Sequence, residues 1–311
     1  MLTFLPALYL GWGVGANDAA NTFGPQIGAG IIAFRRAVVL AAIFAFLGAA
    51  LEGQKVFPTV GGLTRLTLET SIIATLAAGL TVHIMTKFGM PISTSHSIVG
   101  ALVAVGLATG TGFSNLTVLK VGATMVTAPI GAGVIAYLFY QALAWLAAGR
   151  LGNALVFQRA VRYAAVGVGC YAAYALGSNN VGNAMAPLVS VGVLSPTAGA
   201  VLGGFAIAVG VLTYSRNVIM LVGKQITALD PITALVAAMA TAITTHLFTQ
   251  LGIPVSTSQA IVGAVVGVGL TKGMLAVNRR MFWMIPAGWV ISVAGAGGAA
   301  YLLTLGYAMI Q

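Results

Sequence analysis

Two polar clusters, each present twice, interrupt an otherwise apolar chain. GANDAANTFG at 15–24 carries Asn17, Asp18 and Asn21, and it returns as GSNNVGNAMA at 177–186 with Asn179, Asn180 and Asn183, an offset of 162. One carboxylate among five amides is a set of hard oxygen donors of the kind that binds small cations. The other chemistry open to Asp18 is to carry a proton. The second cluster is a Ser-Thr-Ser run two residues after a proline: Ser93, Thr94 and Ser95, then Ser256, Thr257 and Ser258. If Ser95 and Ser258 cap the apolar helices that follow, the free backbone N–H groups and the positive dipole end of each helix form an anion seat, to which the hydroxyls add neutral donors. His96 and Gln259 follow the two runs, close enough to support a bound anion from behind. For any single copy, ordinary capping or helix–helix contact explains the same residues. It is the pairing of both clusters that points to a cation and a tetrahedral oxyanion held together.

The surroundings of these clusters are those of a membrane protein. Hydrophobic residues make up 59% of the 311 and charged residues 6%, with a mean hydropathy of +1.02. Soluble domains carry about 25% charge. Runs long enough to span a bilayer recur from end to end, and 41 glycines suit close helix approach. The net charge of +10 is scattered at the ends of the apolar runs, where it orients helices in a bilayer rather than meeting nucleic acid. Cys170 is the only cysteine, so there is no internal disulfide and no cysteine cluster for a metal. No enzyme is expected either: Ser95 and His96 adjoin, but the repeat replaces the histidine with Gln259 and no acid is placed to orient it.

PISTSHSIVGALVAVGL (91–107) returns as PVSTSQAIVGAVVGVGL (254–270), with twelve of seventeen positions identical and an offset of 163. Two motifs in the same order at nearly the same spacing mark an internal duplication. The halves are 1–149 and 160–311, joined by a basic linker at 150–159. In the first half the apolar segments run 2–32, 37–56, 66–88, 91–108 and 117–148. The 91–108 segment could turn back to its own side, or it could cross as extended chain followed by a half-helix. If it crosses, eleven basic residues fall inside and three (Lys55, Arg65, Lys120) outside; if it returns, the count is seven against seven. The positive-inside rule therefore selects the crossing. The expected fold is an all-α polytopic membrane protein of two inverted repeats, each of about five segments, whose broken half-helices meet at the midplane. Both termini are expected on the external side.

Asp18 then lies at mid-bilayer, where an uncompensated carboxylate costs roughly 2.5–3.5 kcal/mol, and no Lys or Arg stands within a helical turn of it. A bound Na+ or H+ is the simplest compensation. A carboxyl capping a helix break is the plainer alternative. His83 and His246, also 163 apart, read as interhelical polar contacts, and Glu52, Lys55, Arg65 and Glu69 as surface ion pairs at helix ends. This is the general plan of secondary transporters. An anion channel needs weak sites along a continuous pore, and the paired sites with a carboxylate favour occlusion instead.

At GANDAANTFG, GSNNVGNAMAPL, PISTSHSIVGA and PVSTSQAIVGA the chain resembles the inorganic phosphate transporter (PiT) family, in both halves. The resemblance implies cation-coupled import of inorganic phosphate across the plasma membrane, driven by Na+ or H+, without any cofactor and often as a homodimer. It implies a Na+ near Asp18, Asn21 and Asn183, with Asn180 as the mate of Asp18, and phosphate among Ser93, Thr94, Ser95, Ser256, Thr257 and Ser258. Two positions depart from the family's pattern: Asn180 stands where Asp is typical, and Gln259 where histidine is common. The chain also lacks the large hydrophilic loop of some relatives. Some members of the family are similar to sulfate permeases, and sulfate, also tetrahedral, is the alternative substrate.

Overall fold

TKFGMP (86–91) and TQLGIP (249–254) each place a glycine and then a proline after a helical run, the combination that ends a helix. The computed structural model describes residues 2–90, 92–147, 154–225, 230–271 and 279–310. In it, α5 (Leu68–Lys87) and α11 (Pro231–Gln250) stop at these signals. Gly89 and Gly252 both adopt φ of +69°, a left-handed conformation that glycine takes without strain. The turn is closed the same way twice. Gly89 N–H donates to the Thr86 carbonyl at 2.9 Å and Met90 N–H to Met85 at 3.0 Å; Gly252 N–H donates to Thr249 and Ile253 N–H to Phe248, both at 2.9 Å.

A short non-helical stretch follows each stop before α6 (Thr94–Ala108) and α12 (Thr257–Thr271) begin. Pro91 lies outside the described residues, as do Arg150 and Lys272. The 91–108 segment thus contains the half-helix expected of it, entered through an extended Ser93. It runs back alongside α5 as half of a hairpin, rather than crossing from one side to the other as expected. Past its end, Ser114 N–H donates to the Leu63 carbonyl at 2.8 Å and the Thr64 hydroxyl to the Gly112 carbonyl at 2.6 Å, beyond the far end of α5.

The depth of the start differs from expectation. α1 (Leu5–Asp18) runs alongside α5 in the same direction, with Gly79 against Leu10, Gly13 against Val82, and Asn17 bonded to Thr86. α2 (Ala20–Gly28) continues for about 14 Å past Asp18, at 1.5 Å per residue. The α5–α6 turn therefore sits at the level of Asn17, partway along the α1–α2 rod. α5 and α6 form a hairpin with its tip at the centre, because the glycine stop comes before α5 has reached the other end.

The remaining elements are α3 (Phe34–Glu52), a 3-10 turn at Gly53–Val56, α4 (Phe57–Gly61), α7 (Asn115–Ala147), α8 (Ala154–Ser190), α9 (Pro196–Tyr214), α10 (Arg216–Gln225) and α13 (Arg279–Ala308). α8 begins within the stretch read as linker. The described residues form helices and connecting turns without strands, and six segments are long and apolar enough to cross a membrane, including Phe34–Gly61 as one. The chain is an all-α polytopic membrane protein. Packing repeats with the sequence: α1 lies on α9 as α8 lies on α3, α1 on α5 as α8 on α11, and α6 on α13 as α12 on α7.

Two crossings related by the repeat bring backbone onto backbone, as does that of α12 on α7, where a Cβ on Gly263 would lie 2.0 Å from the Pro129 carbonyl. A Cβ on Gly15 would lie 1.9 Å from the Ile207 carbonyl, and one on Gly210 1.9 Å from that of Trp12. The repeat crossing is the same, with Gly177 against Ala45 at 1.9 Å and Gly48 against Tyr174 at 2.0 Å. Small residues at such positions let helices associate by backbone contact. Gly177→Ala and Gly15→Ala should each destabilise the protein by about 2 kcal/mol or more through overpacking. Gly298→Ala, where a Cβ meets nothing within 4 Å, should not. Thermal unfolding in detergent followed by monodisperse yield would show whether the first two fall together and the third stays level.

Candidate functional site at the hairpin tips

Extended backbone exposes N–H and C=O groups that water cannot reach here, so side chains must meet them. Asn17 does so for the first tip. Its amide donates to Thr86 Oγ1 at 2.9 Å and to the Met90 carbonyl at 3.1 Å, and its Oδ1 accepts from Ile92 N–H at 3.3 Å. Asn179 repeats this set on the second tip: Thr249 Oγ1 at 3.0 Å, the Ile253 carbonyl at 3.2 Å, and Val255 N–H at 2.9 Å. Both side chains act as ties. Thr86 and Thr249 were missed in the sequence reading, although they stand 163 apart and a longer alignment of the halves would have paired them.

The caps fall two residues earlier than expected. Ser93, not Ser95, caps α6, with its Oγ accepting from His96 N–H at 3.2 Å. Ser256 Oγ accepts from Gln259 N–H at 3.3 Å in α12. The reason is that helical conformation resumes already at Thr94 and Thr257, which places Ser95 and Ser258 inside the first turn. The amides of Thr94, Ser95, Thr257 and Ser258 precede the first intrahelical bond. The two helix starts face each other and are bonded crosswise. Ser95 Oγ donates to the Val255 carbonyl at 3.2 Å, and Ser258 Oγ to the Ile92 carbonyl at 2.8 Å.

Asp18 joins this meeting point. Its Oδ2 accepts from Thr94 Oγ1 at 2.6 Å and from the Asn180 amide at 2.9 Å. The Asn183 amide donates to Ser95 Oγ at 2.9 Å, and the Asn21 amide to Thr257 Oγ1 at 3.2 Å. All twelve predicted residues of the two clusters are buried, and hydrogen bonds among them join the two halves. Asp18 ends α1 because the helix loosens there: Ala19 N–H reaches Gly15 O at only 3.4 Å, and the Thr22 hydroxyl takes the Ala19 carbonyl at 2.8 Å. In the second half α8 passes through Asn180 without a break.

Three buried oxygens here have no hydrogen-bond partner: Asp18 Oδ1, Asn180 Oδ1 and Asn183 Oδ1. Acceptors left open at less than full satisfaction are costly in a buried site. No Lys or Arg is among the buried residues described, so the fixed charge of the centre is that of Asp18. His96 and Gln259 are buried too, and they line an open groove of about 590 Å³ with Met125, Pro286 and Trp289, on the side of the half-helices turned towards α13. Neither side chain makes a hydrogen bond to the six hydroxyls among the bonds described. His246 makes the expected interhelical polar contacts, with Tyr171 and Glu52, whereas His83 packs against the rings of Tyr9, Trp12 and Tyr214 with its Nδ1 unbonded. Glu52 and Lys55 pair at 3.0 Å, whereas Arg65 and Glu69 form no ion pair among the described residues.

The sequence profile of the phosphate transporter family matches residues 14–300. The chain belongs to that family. It is 29% identical to a Pyrococcus furiosus protein described as a candidate phosphate permease, covering 97% of this chain and 95% of the relative. It is 26% identical to the chloroplastic inorganic phosphate transporter 2-1 of Arabidopsis thaliana, over 97% of this chain and 71% of that one. A solved structure titled "The sodium-dependent phosphate transporter" has the same fold, with a TM-score of 0.90 over the whole of both chains at 23% identity.

The two asparagine ties should be equivalent in stability. Asn17→Ala and Asn179→Ala each strand two tip backbone groups and a threonine, a loss of about 2–4 kcal/mol. Asn21→Ala removes one bond and should cost about 1 kcal/mol. Thermal unfolding of the three variants in one detergent ranks them; a large effect at only one of the two ties would contradict their equivalence.

Proposed function

We propose that this member of the phosphate transporter family is a secondary transporter that imports inorganic phosphate together with a cation. The anion lies between the two half-helix starts, among Ser93, Thr94, Ser95, Ser256, Thr257 and Ser258. The cation lies at the open oxygens of Asp18, Asn180 and Asn183, with Asn21 beside them. The observation that carries the reading is that these open oxygens border an anion seat that has no fixed positive charge.

The electrostatics make coupling necessary. Two like charges 5 Å apart repel by about 3 kcal/mol at an effective dielectric of 20. Asp18 and a phosphate in the same pocket would oppose each other by at least this much. A cation between them turns the repulsion into attraction, so neither ligand binds well without the other. Three acceptors with no donor facing them suit Na+ better than H+, which needs only one. Open acceptors also favour phosphate over sulfate, because phosphate can donate a proton to one of them and ionised sulfate cannot.

Access then alternates as the hairpins move against the rest of the bundle. The halves act as inverted repeats, 1–149 and 160–311 on either side of the 150–159 linker, with both termini outside the plasma membrane.

Uptake of radiolabelled phosphate into proteoliposomes tests this. An inward Na+ gradient should raise the initial rate at least about tenfold, with excess sulfate having little effect. Asp18→Asn should cut Na+-driven uptake about a hundredfold, because the neutral amide no longer draws a cation. Uptake of sulfate without phosphate would overturn the substrate, and uptake driven by a proton gradient alone would replace Na+ by H+.

A further inference from the structure

Glu52 is a second carboxylate within a membrane-spanning segment, and the anion site does not use it. It ends α3 level with Ser178 and Val181 of α8, since a Cβ on the next residue, Gly53, would touch Val181. A charge at that depth calls for an explanation. Its oxygens are fully engaged. Tyr174 OH donates to Oε1 at 2.8 Å; Lys55 Nζ at 3.0 Å and the Gln250 amide donate to Oε2, which His246 Nε2 also faces at 3.1 Å. Unlike Asp18, Glu52 has no open oxygen for a cation.

The partners are informative. His246 and Gln250 belong to the end of α11, next to the second hairpin tip. Lys55 also donates to Gln250 Oε1 at 2.6 Å, and Thr59 Oγ1 to the Gly252 carbonyl at 2.5 Å. Tyr171 holds the other ring nitrogen of His246 at 2.8 Å. Every one of these bonds except Lys55–Glu52 joins the tip or α8 to the chain at 52–59, or α8 to α11. Among the described residues, the Lys55–Glu52 ion pair and the His246–Glu52 contact both centre on Glu52.

The first hairpin has no such arrangement. By the repeat offsets, Glu52 corresponds to Tyr214, Tyr171 to Tyr9, Tyr174 to Trp12, His246 to His83 and Gln250 to Lys87. Those residues make a ring cluster, with Trp12 at 5.9 Å from Tyr9, 5.3 Å from His83 and 5.2 Å from Tyr214 between centroids, and His83 Nδ1 unbonded. One tip is packed by aromatic rings; the other is tied by charge.

We propose that Glu52, Lys55, His246 and Gln250 form a polar latch that holds the α11–α12 tip against the 52–59 chain, and that its release is the step that uncovers the Ser256–Ser258 side of the central site. Charge suits a reversible latch. Glu52 and His246 are each 22% exposed and Lys55 43%, so the groups are only partly buried, and lifting the tip lets water replace their bonds without leaving a bare buried charge. Rings packed at the other tip gain nothing comparable from water. The two gates therefore open by different physics. The latch is a feature of the scaffold, and it rests on the transport reading only for what its release exposes.

Spin-label distances decide it without any phosphate. In a Cys170→Ser background, one labelled pair joins Phe205 on α9 to Leu251 at the second tip; the control joins their repeat mates, Ile43 and Phe88. All four positions are exposed, at 62%, 70%, 49% and 71%. Glu52→Gln, and separately His246→Gln, should raise the separated population of the Phe205–Leu251 pair at least about threefold. The Ile43–Phe88 distances should stay as they were. Unchanged Phe205–Leu251 distances in both variants would overturn the latch, and so would a change of both pairs together, which marks general loosening. Failure of phosphate uptake in the unsubstituted protein would overturn the transport reading and leave this measurement standing.

Discussion

A peptide group in the interior of a bilayer must find its hydrogen bonds inside the protein, and this chain leaves the helix twice where no water can help. Everything at the centre follows from how that debt is met. Asn17 and Asn179 serve the exposed groups of the two tips with the same three bonds each. Once the tips are fixed, helix starts can face one another across the middle of the protein with their first-turn amides free. The hydroxyls of Ser95 and Ser258 then reach across to the opposite tip's carbonyls, so each tip is held by both halves of the chain. First-turn amides and hydroxyls converge here without any buried basic side chain among the described residues.

Symmetry builds the frame, and its breaking supplies the charge. The backbone turns, asparagine ties, serine caps and glycine crossings come in matched pairs. The carboxylate does not: Asp18 is answered by Asn180, whose amide donates to it. α1 loosens after Asp18 while α8 runs on through its counterpart. A centre with one negative group needs less compensation than one with two, and a single cation is enough to neutralise it. The same pattern recurs away from the centre, where a charged cluster around Glu52 corresponds to a ring cluster around Tyr214.

Much of this was readable in the sequence. The duplication, the segment limits and the residues that converge at the centre all follow from motifs and spacing, because helix stops and membrane spans are local properties. Roles were harder to read. Asn17 and Asn21 are the same residue type one turn apart, yet the first ties a tip 73 residues away and the second bonds Thr257. Nothing local distinguishes them. The capping serine was misplaced by two positions, since any of three adjacent hydroxyls could cap and the choice depends on where the extended chain ends. The Glu52–His246 contact joins residues 194 apart and was invisible for the same reason. The depth of the α5–α6 turn was also missed, because hydropathy counts apolar residues and does not report where a hairpin dips.

The two glycine crossings carry a mechanical consequence. At Gly15–Gly210 and Gly48–Gly177 main chain meets main chain at the crossing point, with no side chain standing between the helices there. Interlocked side chains resist sliding and rotation alike, since they must climb over one another. Bare backbone surfaces resist only being pulled apart. Such a contact acts as a bearing: the helices can change their crossing angle about it with little repacking, but they cannot shift apart without losing it. Two bearings related by the repeat define one line through the molecule. The Asp18 level and the hairpin tips bonded to it lie close to Gly15 and Gly177, so a turn about that line would move them the least and the far ends of the helices the furthest.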